Sequence, residues 1–507
     1  MTGYFRSDWT RRGLLGGLAG AAAGAAWAEA PLRSLRPVAR DPRLAEQAAL
    51  ARPRARRESQ ALVDQAGLSG VVAFAVADAR TGRILEALEE DQPLPPASAL
   101  KAVTAAYALE RLGPSYRFRT EVIGTGPVRE GVLDGDLALI GGGDPVMNTD
   151  HLGLFAEALK DRGIRRVTGD LVIWAGALPY VAMIDPSQPV YVGYSPSVSG
   201  LNLNFNRVHF QWQRNGTDYD ITMDARTERY RPEVAMSRMQ IVDRRTPVYT
   251  YEDREGADLW TVRRGALGAS GSRWLPVRKP VLYAGEVFRV LLRGQGITIG
   301  GTIAEAAERP EGPVLAERTS PALRVILRDM LRYSTNLTAE VVGMTATAAA
   351  GSIPADLRQS GREMARWAAA RYGVGSRFVD HSGLGDGSAL SAVEMVRILN
   401  GSGADGALRP ILRTIPMRDA NRNIIQGHPV AVQAKTGTLN FVSTLAGFCD
   451  AVDGRDLTFA IFTADMGRRA GLSRAERERP EGGQSWARRS RNLQQRLLQR
   501  WGVVHAT

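Results

Sequence analysis

The chain has 507 residues and a mass of 54.9 kDa, too long for one compact core, which points to two or three domains. Hydrophobic residues make up 44% and charged residues 23%, which excludes wholesale disorder. A single cysteine, Cys449, excludes an intrachain disulfide framework, and five scattered histidines lack zinc-ligand spacing, so no zinc site is expected. The formal charge of +12 is carried by arginine, because only Lys101, Lys160, Lys279 and Lys435 among the 65 basic residues are lysines. The arginines are spread without a recognition motif, so no nucleic-acid partner is expected. A basic chain of this kind suits peripheral association with an anionic envelope surface.

Residues 1–28 read as an export signal peptide. Thr10-Arg11-Arg12-Gly13-Leu14-Leu15 resembles a twin-arginine motif, an apolar run of about 14 residues follows, and Ala26-Trp27-Ala28 is a small-x-small cleavage site. The run is shorter than the roughly 18 to 20 residues that cross a bilayer. An ordinary secretory signal, with Arg11 and Arg12 supplying charge, is the alternative; either way a periplasmic or exported location is expected. Residues 29–58 form an Arg/Ala-rich arm broken by prolines, leading into a helix near Arg57–Ala66. Ser69–Val76 and Arg83–Leu88 read as strand, turn and strand, and Leu100–Leu112 as a helix stopped by Gly113-Pro114. From about Phe118 to Pro313 short apolar runs alternate with Gly, Asp and Pro, predicting a β-rich insertion. Helices return at Ala322–Leu331, Ala339–Ala350, Leu357–Tyr372 and Ala392–Leu399. Strands Val442–Phe448 and Leu457–Thr463 precede a last helix at Trp486–Trp501. The order predicts an α+β domain, residues 29–115 and 318–507, split by an inserted module at 116–317.

Three short motifs carry the chemistry. Ser98-Ala-Leu-Lys101 places a hydroxyl and an amine on one helical face, three residues apart. A serine needs a base, and a lysine serves once burial or adjacent positive charge depresses its pKa. Arginine cannot lose its proton, so a lysine retained in so arginine-rich a chain is informative. Ser334-Thr335-Asn336 enters a helix; its hydroxyl can relay a proton and its amide can hold the base, although alone this is also an N-cap pattern. Lys435-Thr436-Gly437-Thr438 reads as a strand on which Lys435 and Thr436 grip a carboxylate and Gly437 admits a substrate backbone. The Thr438 N–H completes an oxyanion hole with that of Ser98, and the Lys435 charge depresses Lys101.

In this order the motifs match S-x-x-K, S-x-N and K-T-G of the β-lactamases and penicillin-binding proteins. The long gap between the first two resembles the class C low-molecular-mass penicillin-binding proteins, the D-alanyl-D-alanine carboxypeptidase/endopeptidase family. Gly141-Gly-Gly-Asp-Pro145, the Asn-rich run Leu201–Asn206, expected as a strand, and Asp380-His-Ser-Gly-Leu384 resemble further family segments. His381, where glycine is usual, and Gly385-Asp386-Gly387 depart from that pattern. The resemblance implies a penicillin-binding/β-lactamase-like transpeptidase fold and a serine DD-peptidase acting on peptidoglycan stem peptides, inhibited by β-lactams. It implies catalytic roles for Ser98, Lys101, Ser334, Asn336 and Lys435, substrate binding by Thr436, Gly437 and Thr438, and no need for a metal or organic cofactor. The rivals are a β-lactamase or esterase of the same fold, for which Tyr333 sits one position off the usual tyrosine, and a non-catalytic wall-binding scaffold.

Overall fold

A computed structural model describes residues 59–506 except 352, 404–405, 420, 475 and 479; the expected signal peptide lies outside the described residues. Val71–Asp78, an unbroken apolar run, is buried along nearly its whole length, as expected of a strand covered on both faces. It pairs antiparallel with Ile84–Leu88 on one side and Asp456–Ala464 on the other, Val71 opposite Ala464 and Asp78 opposite Leu457. The six-stranded sheet continues through Val442–Asp450 and Ala431–Leu439 to Arg413–Thr414. The C-terminal helix Gly483–Val504 covers one face, where Trp501 meets Phe74 edge-on at 5.4 Å. Helices Leu100–Leu112 and Ala392–Gly403 pack on the sheet, and Asn336–Ala349 packs in turn against the former.

Between these parts, Arg119–Thr319 supplies four further sheets of three to five strands and a second apolar core that includes Trp260 and Tyr283. Two features here differ from the sequence reading. The insertion holds two long helices, Thr149–Asp161 and Pro280–Gly294, which meet through Phe155 and Phe288 at 6.5 Å. Each carries an interior glycine packed against a neighbour: a Cβ at Gly153 would lie 2.5 Å from the Tyr230 ring, and one at Gly285 2.6 Å from Ile303. Those glycines serve close packing and weaken the helical signal. The run Leu201–Asn206 contains no strand. Asn204, Phe205 and Asn206 have φ of 51°, 57° and 49° and form a left-handed turn, which asparagine tolerates better than most residues. The Asn206 amide donates to the Ser197 carbonyl and the Asn202 side chain, so the Leu/Asn alternation encodes a hydrogen-bonded corner. Cys449 is buried within its strand, and burial pushes its thiol up to about 12. Among the described residues no helix is long and apolar enough to cross a membrane.

Candidate active site

Ser98 sits in a single 3-10 turn, Ala97–Ala99, that runs into helix Leu100–Leu112. The turn is strained: Ala97 has φ +46°, a region that costs a non-glycine residue about 1–2 kcal/mol. Its surroundings hold it there. The Thr444 hydroxyl donates to the Pro96 carbonyl at 2.8 Å, and Gly383 lies so close that a Cβ would fall 1.9 Å from the Ala97 oxygen. Gly437 is required for a similar reason. A side chain there would strike the Thr444 hydroxyl, the Ala99 nitrogen and the Pro96 oxygen, so the close approach at this strand position is to the protein's own serine turn.

One turn on, Lys101 is completely buried. Its Nζ donates to Ser98 Oγ at 2.9 Å, Asn336 Oδ1 at 2.7 Å and the Ser382 carbonyl at 2.8 Å, which matches the three donors of an ammonium. Burial lowers its pKa to about 8, opposed by the Glu340 and Asp380 carboxylates. Burial rather than the Lys435 charge is therefore the main cause. The Lys101 charge, after burial, contributes to holding Lys435 well below the usual lysine range.

Ser334 and Asn336 come from an elbow between two helices. The amphipathic helix Leu323–Tyr333 buries Leu323, Ile326, Leu327, Met330 and Leu331 at helical spacing. Ser334, at φ +58°, ends it, and Asn336 opens the next helix. The elbow turns Ser334 Oγ toward Lys435 Nζ, 3.0 Å away, and the Asn336 amide toward the Tyr194 carbonyl at 2.9 Å. No side-chain cap bond forms at Thr335. Tyr333 is two-thirds exposed. Ser98, Ser334, Asn336 and Thr438 line one cleft of about 660 Å³. Lys435 is buried behind it and also donates to the Thr436 carbonyl; the Thr436 side chain is exposed outside that lining.

Beneath Lys101 lies a buried polar layer that the motifs alone did not single out. Both Glu340 oxygens accept backbone N–H bonds, from His381 and Ser382, each at 2.9 Å. Asp380 accepts from Gly383 and Gly385 at 2.9 and 2.6 Å. Burial first, then the Asp380 charge, raises Glu340 to about 8. The loop 380–385 is thus folded around two carboxylates so that the Ser382 carbonyl reaches the lysine. His381 is neutral, held down to about 3 by burial, and its Nε2 shares a 2.7 Å hydrogen bond with Ser360, which continues to Thr347 and Tyr107. The imidazole occupies space that Gly343 leaves open, since a Cβ at 343 would lie 2.1 Å from the ring. One sequence signal was available: Glu340 is the lone charged residue in its helix. Among the described residues no group of three or more His, Cys, Asp or Glu side chains is placed to hold a metal ion.

The chain is 28% identical over 478 residues to the D-alanyl-D-alanine carboxypeptidase of an Actinomadura species, spanning 88% of this chain and 87% of that protein. It is 24% identical over 397 residues to the D-alanyl-D-alanine carboxypeptidase DacB of Haemophilus influenzae, spanning 72% and 79%. The crystal structure of penicillin binding protein 4 (dacB) from Haemophilus influenzae superposes with a TM-score of 0.70 at 19% identity. That match covers 87% of this chain and 99% of that one, and at this identity it speaks for the fold. Residues 57–480 match the D-Ala-D-Ala carboxypeptidase 3 (S13) family throughout, and with its fold the chain belongs to that family of serine DD-peptidases acting on peptidoglycan.

Proposed function

We propose that Ser98 is the nucleophile and Lys101 its general base, cleaving the terminal D-Ala-D-Ala bond of stem peptides (carboxypeptidase) and/or the cross-link bond (endopeptidase). The observation that carries this reading is the buried Lys101 amine in contact with Ser98 Oγ, its pKa lowered to about 8, so that its neutral fraction near neutrality is far larger than that of an ordinary lysine. The amine takes the Oγ proton as the Oγ–C bond forms, and backbone N–H groups of Ser98 and Thr438 stabilise the oxyanion. The C–N bond then breaks, and Ser334, held by Lys435, relays the proton that Lys101 took to the leaving amine, which leaves Lys101 neutral again. Asn336 fixes Lys101 and orients the substrate. Lys435 and Thr436 bind the terminal carboxylate, and Gly437 lets the strand that carries them lie against the serine turn, beside the substrate. Water finally hydrolyses the acyl-serine and regenerates the enzyme.

The same chemistry makes β-lactams acylating inhibitors. The architecture that fits is a catalytic domain, 29–115 with 318–507, interrupted by the 116–317 module, in a protein exported through its 1–28 signal and associating peripherally with the envelope. Brief incubation with benzylpenicillin followed by intact mass tests the site. A persistent one-drug adduct on wild type and none on Ser98→Ala is the expected result. Rapid drug hydrolysis without an adduct would replace the reading with a β-lactamase, and a folded protein that does neither would leave only the scaffold.

A further inference from the structure

The cleft holding Ser98 is lined by five arginines, Arg422, Arg469, Arg477, Arg488 and Arg491, against one carboxylate, Glu478. Their neutralisation is uneven. Asp386 takes ion pairs from Arg469 and Arg477, while Glu478 is engaged by the Tyr191 hydroxyl and by Arg273. No described carboxylate forms an ion pair with Arg422, Arg488 or Arg491. The charges acting on half-buried Arg491 are its two neighbours, Arg422 and Arg488, which together with burial lower its pKa.

Several partly buried arginines elsewhere are treated otherwise. Arg409 sits between Asp450 and Asp456, Arg500 pairs with Glu86, and Arg278 donates to the carbonyls of Ala182, Val190 and Ser195. The cluster is also held by the backbone. Arg488 and Arg491 lie three apart on the C-terminal helix, hence on one face. Arg422 stands in a turn closed by the Asp419 carboxylate, which accepts from the Asn423 N–H at 2.8 Å and its amide at 3.1 Å. That turn is tied to the helix at Arg418, whose N–H donates to Gln495 and whose carbonyl accepts from Gln499, both at 2.9 Å. Three neighbouring guanidiniums lining one concave site focus positive potential there and present forked donors suited to carboxylates.

These arginines and Ser98 line one continuous space, ample for more than a dipeptide. The D-Ala terminal carboxylate is assigned above to Lys435 and Thr436, so the arginines meet a different anionic group. We infer that Arg422, Arg488 and Arg491 form an anion subsite for free carboxylates on the acyl-donor part of the stem peptide, remote from the scissile bond. This rests on the DD-peptidase reading and names the substrates it favours: peptides whose acidic residues are unamidated.

The test compares diacetyl-Lys-D-Ala-D-Ala with the same tripeptide extended at its amino end by two acidic residues, using wild type and R422Q/R488Q/R491Q. Wild type should prefer the acidic peptide by about tenfold in kcat/KM, chiefly through KM, and the preference should shrink as salt rises. The triple variant should lose that preference while its kcat/KM for the neutral peptide and its acylation by benzylpenicillin stay within about twofold. A preference that survives the three substitutions, or equal losses on both peptides, overturns the subsite. A wild type that forms the penicillin adduct yet shows no preference sinks this inference alone. One that forms no adduct and cleaves neither peptide sinks the DD-peptidase reading together with it.

Discussion

Behind Ser98, the groups around Lys101 are buried and paired: Glu340 and Asp380 each accept two backbone N–H bonds, and His381 is locked into a hydroxyl chain. In front of it, the cleft rim carries guanidiniums, two of them neutralised by Asp386 and three not. The inner wall controls where a proton resides, because desolvation there moves pKa values by units. The outer rim controls what approaches, because exposed charges act over a Debye length and leave local protonation almost untouched. Substitutions in the two walls should therefore separate cleanly into effects on the chemical step and effects on substrate preference.

The largest effect is expected at the inner wall. Lys101→Arg keeps the charge and removes the base, and acylation by benzylpenicillin should fall about a thousandfold in stopped-flow or timed mass measurements. In wild type the acylation rate should rise with pH and level off above about 8, since burial has lowered the amine to that value and only its neutral form accepts the Ser98 proton. Glu340→Gln removes a carboxylate whose ionised form favours the ammonium, so the inflection of the pH–rate profile should move to lower pH; an unmoved profile would break the assignment of the inner wall to proton control.

A smaller effect concerns packing within that wall. Gly343→Ala should cost about 1–3 kcal/mol in denaturant unfolding, because the new methyl meets the imidazole. His381→Gly should cost a similar amount through a cavity and the loss of one of the two Ser360 hydroxyl bonds. The double variant should lose less than the sum of the two, a coupling that a double-mutant cycle reads directly. The smallest effect belongs to the rim. Tyr194→Phe deletes the 3.2 Å bond to Gln188 and leaves the Tyr194 carbonyl that Asn336 uses, so acylation should change less than about twofold.

The same division explains what could be read before any coordinates. Ser98, Lys101, Ser334, Asn336 and Lys435 are legible because two of the three motifs need lysine in a chain that otherwise uses arginine. The helices and strands flanking the insertion are legible because their apolar periodicity is strong. Glu340, Asp380 and the Ser382 carbonyl were missed because their roles depend on which backbone amides the fold brings to them, and a carbonyl leaves no mark in a sequence. The helix Thr149–Asp161 did announce itself, through an Asn148 cap that bonds reciprocally with His151, but an interior glycine argued the other way. In Leu201–Asn206 the period-2 pattern was present and misleading, since alternate asparagines turn the chain as readily as they decorate a strand.

The antiparallel pairing of Val71–Asp78 with Asp456–Ala464 has a consequence for timing. The strand that leads to Ser98 is made early and its central partner almost last. At roughly 5–20 residues per second, synthesis from Ser98 to Ala464 takes on the order of 20–70 s. Long-range strand pairing then adds its own delay. During that interval the serine helix has no finished sheet to rest on, and Lys101 has none of the late partners that desolvate it. The nascent chain thus offers neither peptide nor drug a pocket, and reactivity arrives in one step when the C-terminal strands close the sheet.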